Sequence, residues 1–146
     1  MRKKLFFIIS LIIFYSILSA VCFGQVQTRL RIIQASNIGS GIDPNLKDIH
    51  NQLGTLFNFT SYRLLRDERF ILSMNQSVII PVHQERVIEI TLLGKGKGTA
   101  ELRLKIRSEK TEILNTQVRL SSGRTVIIGG PKHGEGVTIL AISANL

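Results

Sequence analysis

The sequence predicts an α+β protein that is mostly β: an antiparallel sandwich or curved sheet of about eight strands, with one helix near the mature N-terminus. Three observations predict it. Period-two alternation of apolar and polar residues dominates the chain after residue 60. One stretch only, residues 44–55, repeats its apolar residues at helical spacing. Turn residues cut the remainder into short segments, and short connections favour antiparallel neighbours.

The first element is a leader. Arg2, Lys3 and Lys4 are followed by an apolar run from Leu5 to Leu18, and then by the small residues Ser19, Ala20 and Gly24. That order is the pattern of a secretory signal peptide. Cleavage after Gly24, with Cys22 at −3, leaves residues 25–146 as a single exported β-rich domain. Two other readings compete. Leu5 to Phe23 is close to the roughly 20 residues that span a bilayer, so residues 5–23 could be retained as an anchor. Cys22 also invites lipidation, although Leu18 stands four residues before it rather than three.

Residues 25–146 then read as follows. Val26 to Ala35 is a half-buried strand, with Val26, Leu30 and Ile32 on one face and Gln27, Arg29 and Arg31 on the other. Ser36 to Gly41 is a loop. Asp43 is a helix N-cap and Pro44 a first helical residue. Leu46, Ile49, Leu53 and Leu56 form the apolar face of a helix that Gly54 ends. Ser61–Leu65 and Arg69–Met74 are two short strands around an Arg66-Asp67-Glu68 turn. Val78–Val82 is a strand that Pro81 pushes to a sheet edge. Arg86–Leu93 turns Ile88, Ile90 and Leu92 inward, and Gly94 to Gly98 is a flexible connection. In Thr99–Arg107, Ala100, Leu102, Leu104 and Ile106 face the core; Glu101, Arg103, Lys105 and Arg107 face solvent. Thr111–Leu120 and Thr125–Ile128 are further strands, followed by a glycine-rich loop over 129–136. Val137–Ala144 is apolar on both faces and is predicted to be a central, doubly covered strand.

Composition narrows the function classes. Setting aside the three leader cations leaves 16 Lys and Arg against 10 Asp and Glu, a net charge of +6. An exported basic domain is matched to anionic envelope polymers or lipid headgroups rather than to nucleic acid. The only cysteine is Cys22, so residues 25–146 hold no thiol chemistry and no Cys-ligated metal.

No motif in the chain predicts a catalytic, metal or cofactor site. Gly94-Lys-Gly-Lys-Gly-Thr99 lacks P-loop spacing and is followed by a strand. His50, His83 and His133 fit no metal-ligand spacing. Ser121, Ser122 and Ser143 lack a nucleophile elbow. Asp67 and Glu68 are adjacent on one predicted turn, whereas a glycosidase pair faces across a cleft. The sequons at Asn58 and Asn75 mean nothing behind a bacterial-type leader. Phe57, Phe59, Tyr62 and Phe70 are predicted to pack between the helix and the next strands. The one candidate contact surface, against an anionic partner, is Arg103, Lys105 and Arg107, with Arg29 and Arg31 as its candidate extension.

Ser122-Gly-Arg-Thr-Val-Ile-Ile-Gly-Gly130 resembles the strand that closes many outer-membrane secretin modules. Ala35-Ser-Asn, Asp43-Pro-x-Leu46, Leu56-Phe-x-Phe-x-Ser-Tyr-Arg-Leu-Leu65 and Ile128-Gly-Gly-Pro131 resemble a group of small exported bacterial proteins of unknown function. That resemblance implies export and a single domain, and carries over no active-site residue. Three function classes follow in order. The first is a non-enzymatic envelope protein, periplasmic or at the cell surface, that binds another protein or an envelope polymer. The second is an accessory component of a secretion or pilus system, and the third an enzyme. A pocket that gathers polar groups would favour the enzyme; a long open sheet edge would favour strand addition.

Overall fold

The computed structural model describes residues 2–4, 24–82 and 85–146. Residues 5–23, which carry the anchor alternative and most of the leader and its cleavage site, fall outside the described residues, as does His83. Nine strands in two open sheets make up most of the described chain. They are β1 (Gln25–Ser36), β2 (Gly41–Ile42), β3 (Ser61–Ser73), β4 (Ser77–Val82), β5 (Arg86–Gly96), β6 (Thr99–Ser108), β7 (Thr111–Ser121), β8 (Thr125–His133) and β9 (Gly136–Asn145). The large sheet has the order β2-β3-β1-β9-β8, and the small sheet β4-β5-β6-β7. Every pairing between these strands is antiparallel except the two-residue β2–β3 contact.

Three layers result. Alternate side chains of both sheets meet in one core, which holds Val26, Leu30, Ile32, Leu72, Ile90, Leu102, Leu104, Leu140 and Ile142. The opposite face of the large sheet carries a second core of Ile33, Ala35, Tyr62, Ile139 and Ala141, covered by Leu46, Ile49 and Leu53 from the helical segment. β9 serves both cores, Ile139 and Ala141 on one face and Leu140, Ile142 and Ala144 on the other. Its continuous apolar run has this double burial as its cause. The predicted mostly-β sandwich with one helical element is therefore the fold.

The helical element is partly of another kind. Pro44–Ile49 is a 3-10 segment, and only α1 (His50–Leu56) is α-helical. Asp43 caps it, its side chain accepting from the Asn45 N–H at 2.9 Å. Leu46 and Ile49, three residues apart, eclipse in a 3-10 turn and bury together. Leu56 is 59% exposed, so it leaves the predicted apolar face, and the helix runs through Gly54 to Leu56.

Two strand predictions need correction. The predicted turn at Arg66-Asp67-Glu68 is the middle of one long strand, β3, paired with β1 throughout. Charged residues are accommodated there because each finds a partner: Asp67 on Arg29, and Glu68 on Arg66 two residues earlier on the same face. Leu65 is the extra residue of a bulge opposite Ile32 and Ile33. A bulge reverses the facing of all that follows it. Tyr62 and Leu64 therefore join the helix-side core, whereas Phe70 and Leu72 join the core between the sheets. The aromatic group divides accordingly: Phe57, Phe59 and Tyr62 pack on the helix side, with Phe59 and Tyr62 edge-to-face at 6.4 Å. Likewise β8 does not stop at Ile128. It continues to His133 through a bulge at Gly130 and Pro131. A proline is tolerated there because β8 is an edge strand and the residue is bulged out of the ladder.

Candidate functional site

Two polar surfaces lie on opposite sides of the sandwich. The first is the predicted one. On β6, Leu102, Leu104 and Ile106 are buried between the sheets, so Glu101, Arg103, Lys105 and Arg107 point away from the core. The cross-strand register surrounds them with polar groups: Arg103 lies between Thr91 and Gln117, and Lys105 between Glu89 and Asn115. Their charges are not equivalent. Arg107 Nη2 donates to Glu89 Oε2, and Arg119 pairs loosely with Glu101 at 3.7 Å. Arg103 and Lys105 make no ion pair among the described residues. The three predicted residues do share one face, with Arg103 and Lys105 as its unneutralised cations.

Arg29 and Arg31 do not extend that face. They lie on the outer side of the large sheet, beside the 3-10 segment. Alternation along β1 predicts solvent exposure, yet Arg31 is 1% exposed. It gives both Nη groups to Asp48, at 2.7 and 3.0 Å, and Nη1 also reaches the Asn45 carbonyl at 3.3 Å. Arg29 makes a bidentate pair with Asp67, Nε to Oδ1 at 2.9 Å and Nη2 to Oδ2 at 2.6 Å. Fork-to-fork geometry of this kind is the stronger class of ion pair.

The consequences for ionisation follow directly. The hydrogen bond from Arg31 holds the Asp48 carboxyl below the usual carboxylate range, and that from Arg29 does the same for Asp67. The Asp67 bond in turn raises Arg29. Both carboxyl groups are depressed, so the stability they contribute is present above the ordinary carboxylate value. It is lost as pH falls through the depressed one.

Around these pairs runs a groove of about 510 Å³, which Gln27, Arg69, Thr125 and Ser143 also line. Sequence reasoning missed Arg69, Asp48, Thr125 and Ser143. The available signal was the Arg-Asp-Glu-Arg string at 66–69, which reads equally as a turn. Among the described residues, no group of three or more His, Cys, Asp or Glu could hold a metal ion, and no helix is long and apolar enough to cross a membrane. His50 is exposed on α1, and among the described residues no base or nucleophile lines this groove apart from hydroxyls and the paired carboxylate of Asp48.

No family model and no curated protein sequence matches the chain. Among solved structures, it is similar to the Salmonella SPI-1 type III secretion injectisome secretin InvG (residues 176 to its end) in the open gate state. The identity is 12% and the TM-score 0.34, over 93% of this chain and 65% of that one. The chain thus spans just under two thirds of that structure. The likeness is weak.

Proposed function

We propose that the protein is a non-enzymatic component of the cell envelope, and that it holds an anionic envelope polymer against the outer face of its small sheet. The observation that carries this reading is the pair Arg103 and Lys105: adjacent on one face of β6, half-buried, and without an ion-pair partner among the described residues. The surrounding Thr91, Asn115 and Gln117 offer hydrogen bonds to a polar chain. The cationic, apolar leader pattern and the net positive charge support an envelope location. Exposed charges are screened beyond about 8 Å at physiological salt, so the contact is weak and salt-dependent.

Sedimentation with peptidoglycan is the test. Retention at low salt falls at high salt, and falls equally in an Arg103→Ser/Lys105→Ser variant. Retention that ignores both changes overturns the reading.

A second reading, an accessory role in a secretion or pilus system, has one observation in its favour. β7 is the outer strand of the small sheet, 11 residues long, with a free edge. Such an edge can accept a strand from a partner. In an antiparallel ladder, successive residues point their N–H groups alternately inward and outward. Proline at Thr116 and proline at Gln117 therefore have opposite effects. One breaks the pairing with β6 and destabilises the fold; the other leaves stability intact and blocks strand addition. If the stable variant still assembles with the partner, strand addition at β7 is wrong.

A further inference from the structure

The register of the large sheet aligns four donor side chains across four strands. Arg69 on β3 lies opposite Arg29 on β1, Arg29 opposite Ser143 on β9, and Ser143 opposite Thr125 on β8. At about 4.8 Å between strands, the row is roughly 14 Å long. It crosses the floor of the groove, where the 3-10 segment brings Asp48 alongside.

Charge in this groove is uneven. Two aspartates serve three arginines: Asp67 is taken by Arg29 and Asp48 by Arg31. The Arg69 side chain makes no ion pair or hydrogen bond among the described residues, feeling Asp67 only at longer range, and Arg29 keeps its Nη1 donors free. Arg31 Nε is buried with no acceptor among the described residues, an uncommon state for so polar an atom. Two like charges directly opposite each other on neighbouring strands repel, so placing Arg69 across from Arg29 costs stability rather than adding it. The two hydroxyls add donors to the same row. What this arrangement lacks is an acceptor with several oxygens and a negative charge.

We infer that the groove is an oxyanion site, taking a phosphate or carboxylate group against Arg69 and Arg29, with Ser143 and Thr125 as supporting donors. Arg69 supplies the charge-assisted contact. Arg29 is held in place by its bidentate bond to Asp67 and presents its remaining donors. Arg31 and Asp48 form the wall that fixes the 3-10 segment over one end of the groove. This site is separate from the Arg103 and Lys105 face, since the two lie on the outer sides of different sheets.

Calorimetric titration of the purified protein with inorganic phosphate, and separately with acetate, tests the inference. Saturable binding of at least one is expected. Arg69→Gln weakens it roughly tenfold or more, the value of one charge-assisted hydrogen bond. Arg69→Lys, which retains the charge but not the fork, falls between the two. Arg69 is exposed, so these variants keep the fold, and unchanged thermal unfolding in the absence of anion verifies that. Arg103→Ser/Lys105→Ser binds like wild type, which separates this site from the polymer-binding face. Vesicles containing phosphatidylglycerol distinguish the source: retention that phosphate displaces and Arg69→Gln abolishes places the oxyanion on a lipid headgroup. Phosphate uptake without vesicle retention places it on a small solute. Uptake of neither anion by wild type, or equal uptake by Arg69→Gln, overturns the site.

Discussion

Leu102→Asp unfolds the sandwich, whereas Arg103→Asp leaves its denaturation midpoint nearly unchanged. The two positions are neighbours on β6 and differ in the face they present. Leu102 is 0% exposed, opposite Leu92 on β5 and Val118 on β7, within the core between the sheets. No cation or donor of that core is near enough in the ladder to serve a carboxylate: the flanking inward residues are Ala100 and Leu104, both buried. A polar group moved there without a partner costs about 2–7 kcal/mol, and a charge costs more. The whole stability of a domain is about 5–15 kcal/mol. Arg103 faces outward between Thr91 and Gln117 and has no ion pair to lose, so its change stays within about 0.5 kcal/mol. Leu102→Ala gives a graded control, destabilised by roughly 2–5 kcal/mol but still folded. Urea denaturation of the three variants checks the series. Equal midpoints for Leu102→Asp and Arg103→Asp would mean that β6 does not bury its even-numbered residues.

The two faces of β6 are legible from sequence alone because the strand is regular over its alternating part. Each local choice there agrees with the tertiary environment, and β9 shares this property, as does β5 up to its own bulge at Leu93. The misread elements are those where the ladder is irregular. β3 carries an extra residue at Leu65, so Tyr62 and Leu64 face the helix-side core while Phe70 and Leu72 face the other, and its charged centre reads as a turn between two strands. In β8 the Gly129-Gly130-Pro131 string has loop composition, yet the strand absorbs it as a bulge on a free edge. The predicted cationic face is legible because strand alternation determines it. The groove is not, for two reasons. Arg29 and Arg69 are 40 residues apart and become neighbours only through the β1–β3 register. The burial of Arg31 depends on Asp48, which a 3-10 segment places beside it, where the spacing suggests α-helix. Charge in a strand does not say whether solvent or an aspartate from another layer will meet it.

Gly136→Ala is expected to be the most damaging single-methyl change in the described chain, and Gly54→Ala a stabilising one. Neither glycine needs a left-handed backbone, so backbone strain does not separate them and the space around each decides the sign. A Cβ on Gly136 would sit 2.0 Å from the Ala35 carbonyl oxygen, 3.0 Å from its carbon and 3.1 Å from the Ser36 Cβ. Two of these atoms are backbone, in the strand that pairs Ala35 with Val137 at the start of β9. Nothing flexible can give way. Relief requires β1 and β9 to separate at the point where they begin to pair, and Ala35 belongs to the helix-side core. Overpacking of this kind costs roughly 3 kcal/mol, about 12 °C in Tm for a domain of this size. Gly54 lies inside α1, exposed, with nothing within 4 Å of the place an alanine methyl would take. Alanine there removes the entropy that glycine gives the unfolded chain and gains about 0.5–1 kcal/mol. Differential scanning calorimetry of both variants decides the matter, since the shifts have opposite signs. A Gly136→Ala protein that melts with wild type would show that β1 and β9 do not approach so closely at Ala35. A Gly54→Ala protein that melts lower would show that α1 is not helical at that residue.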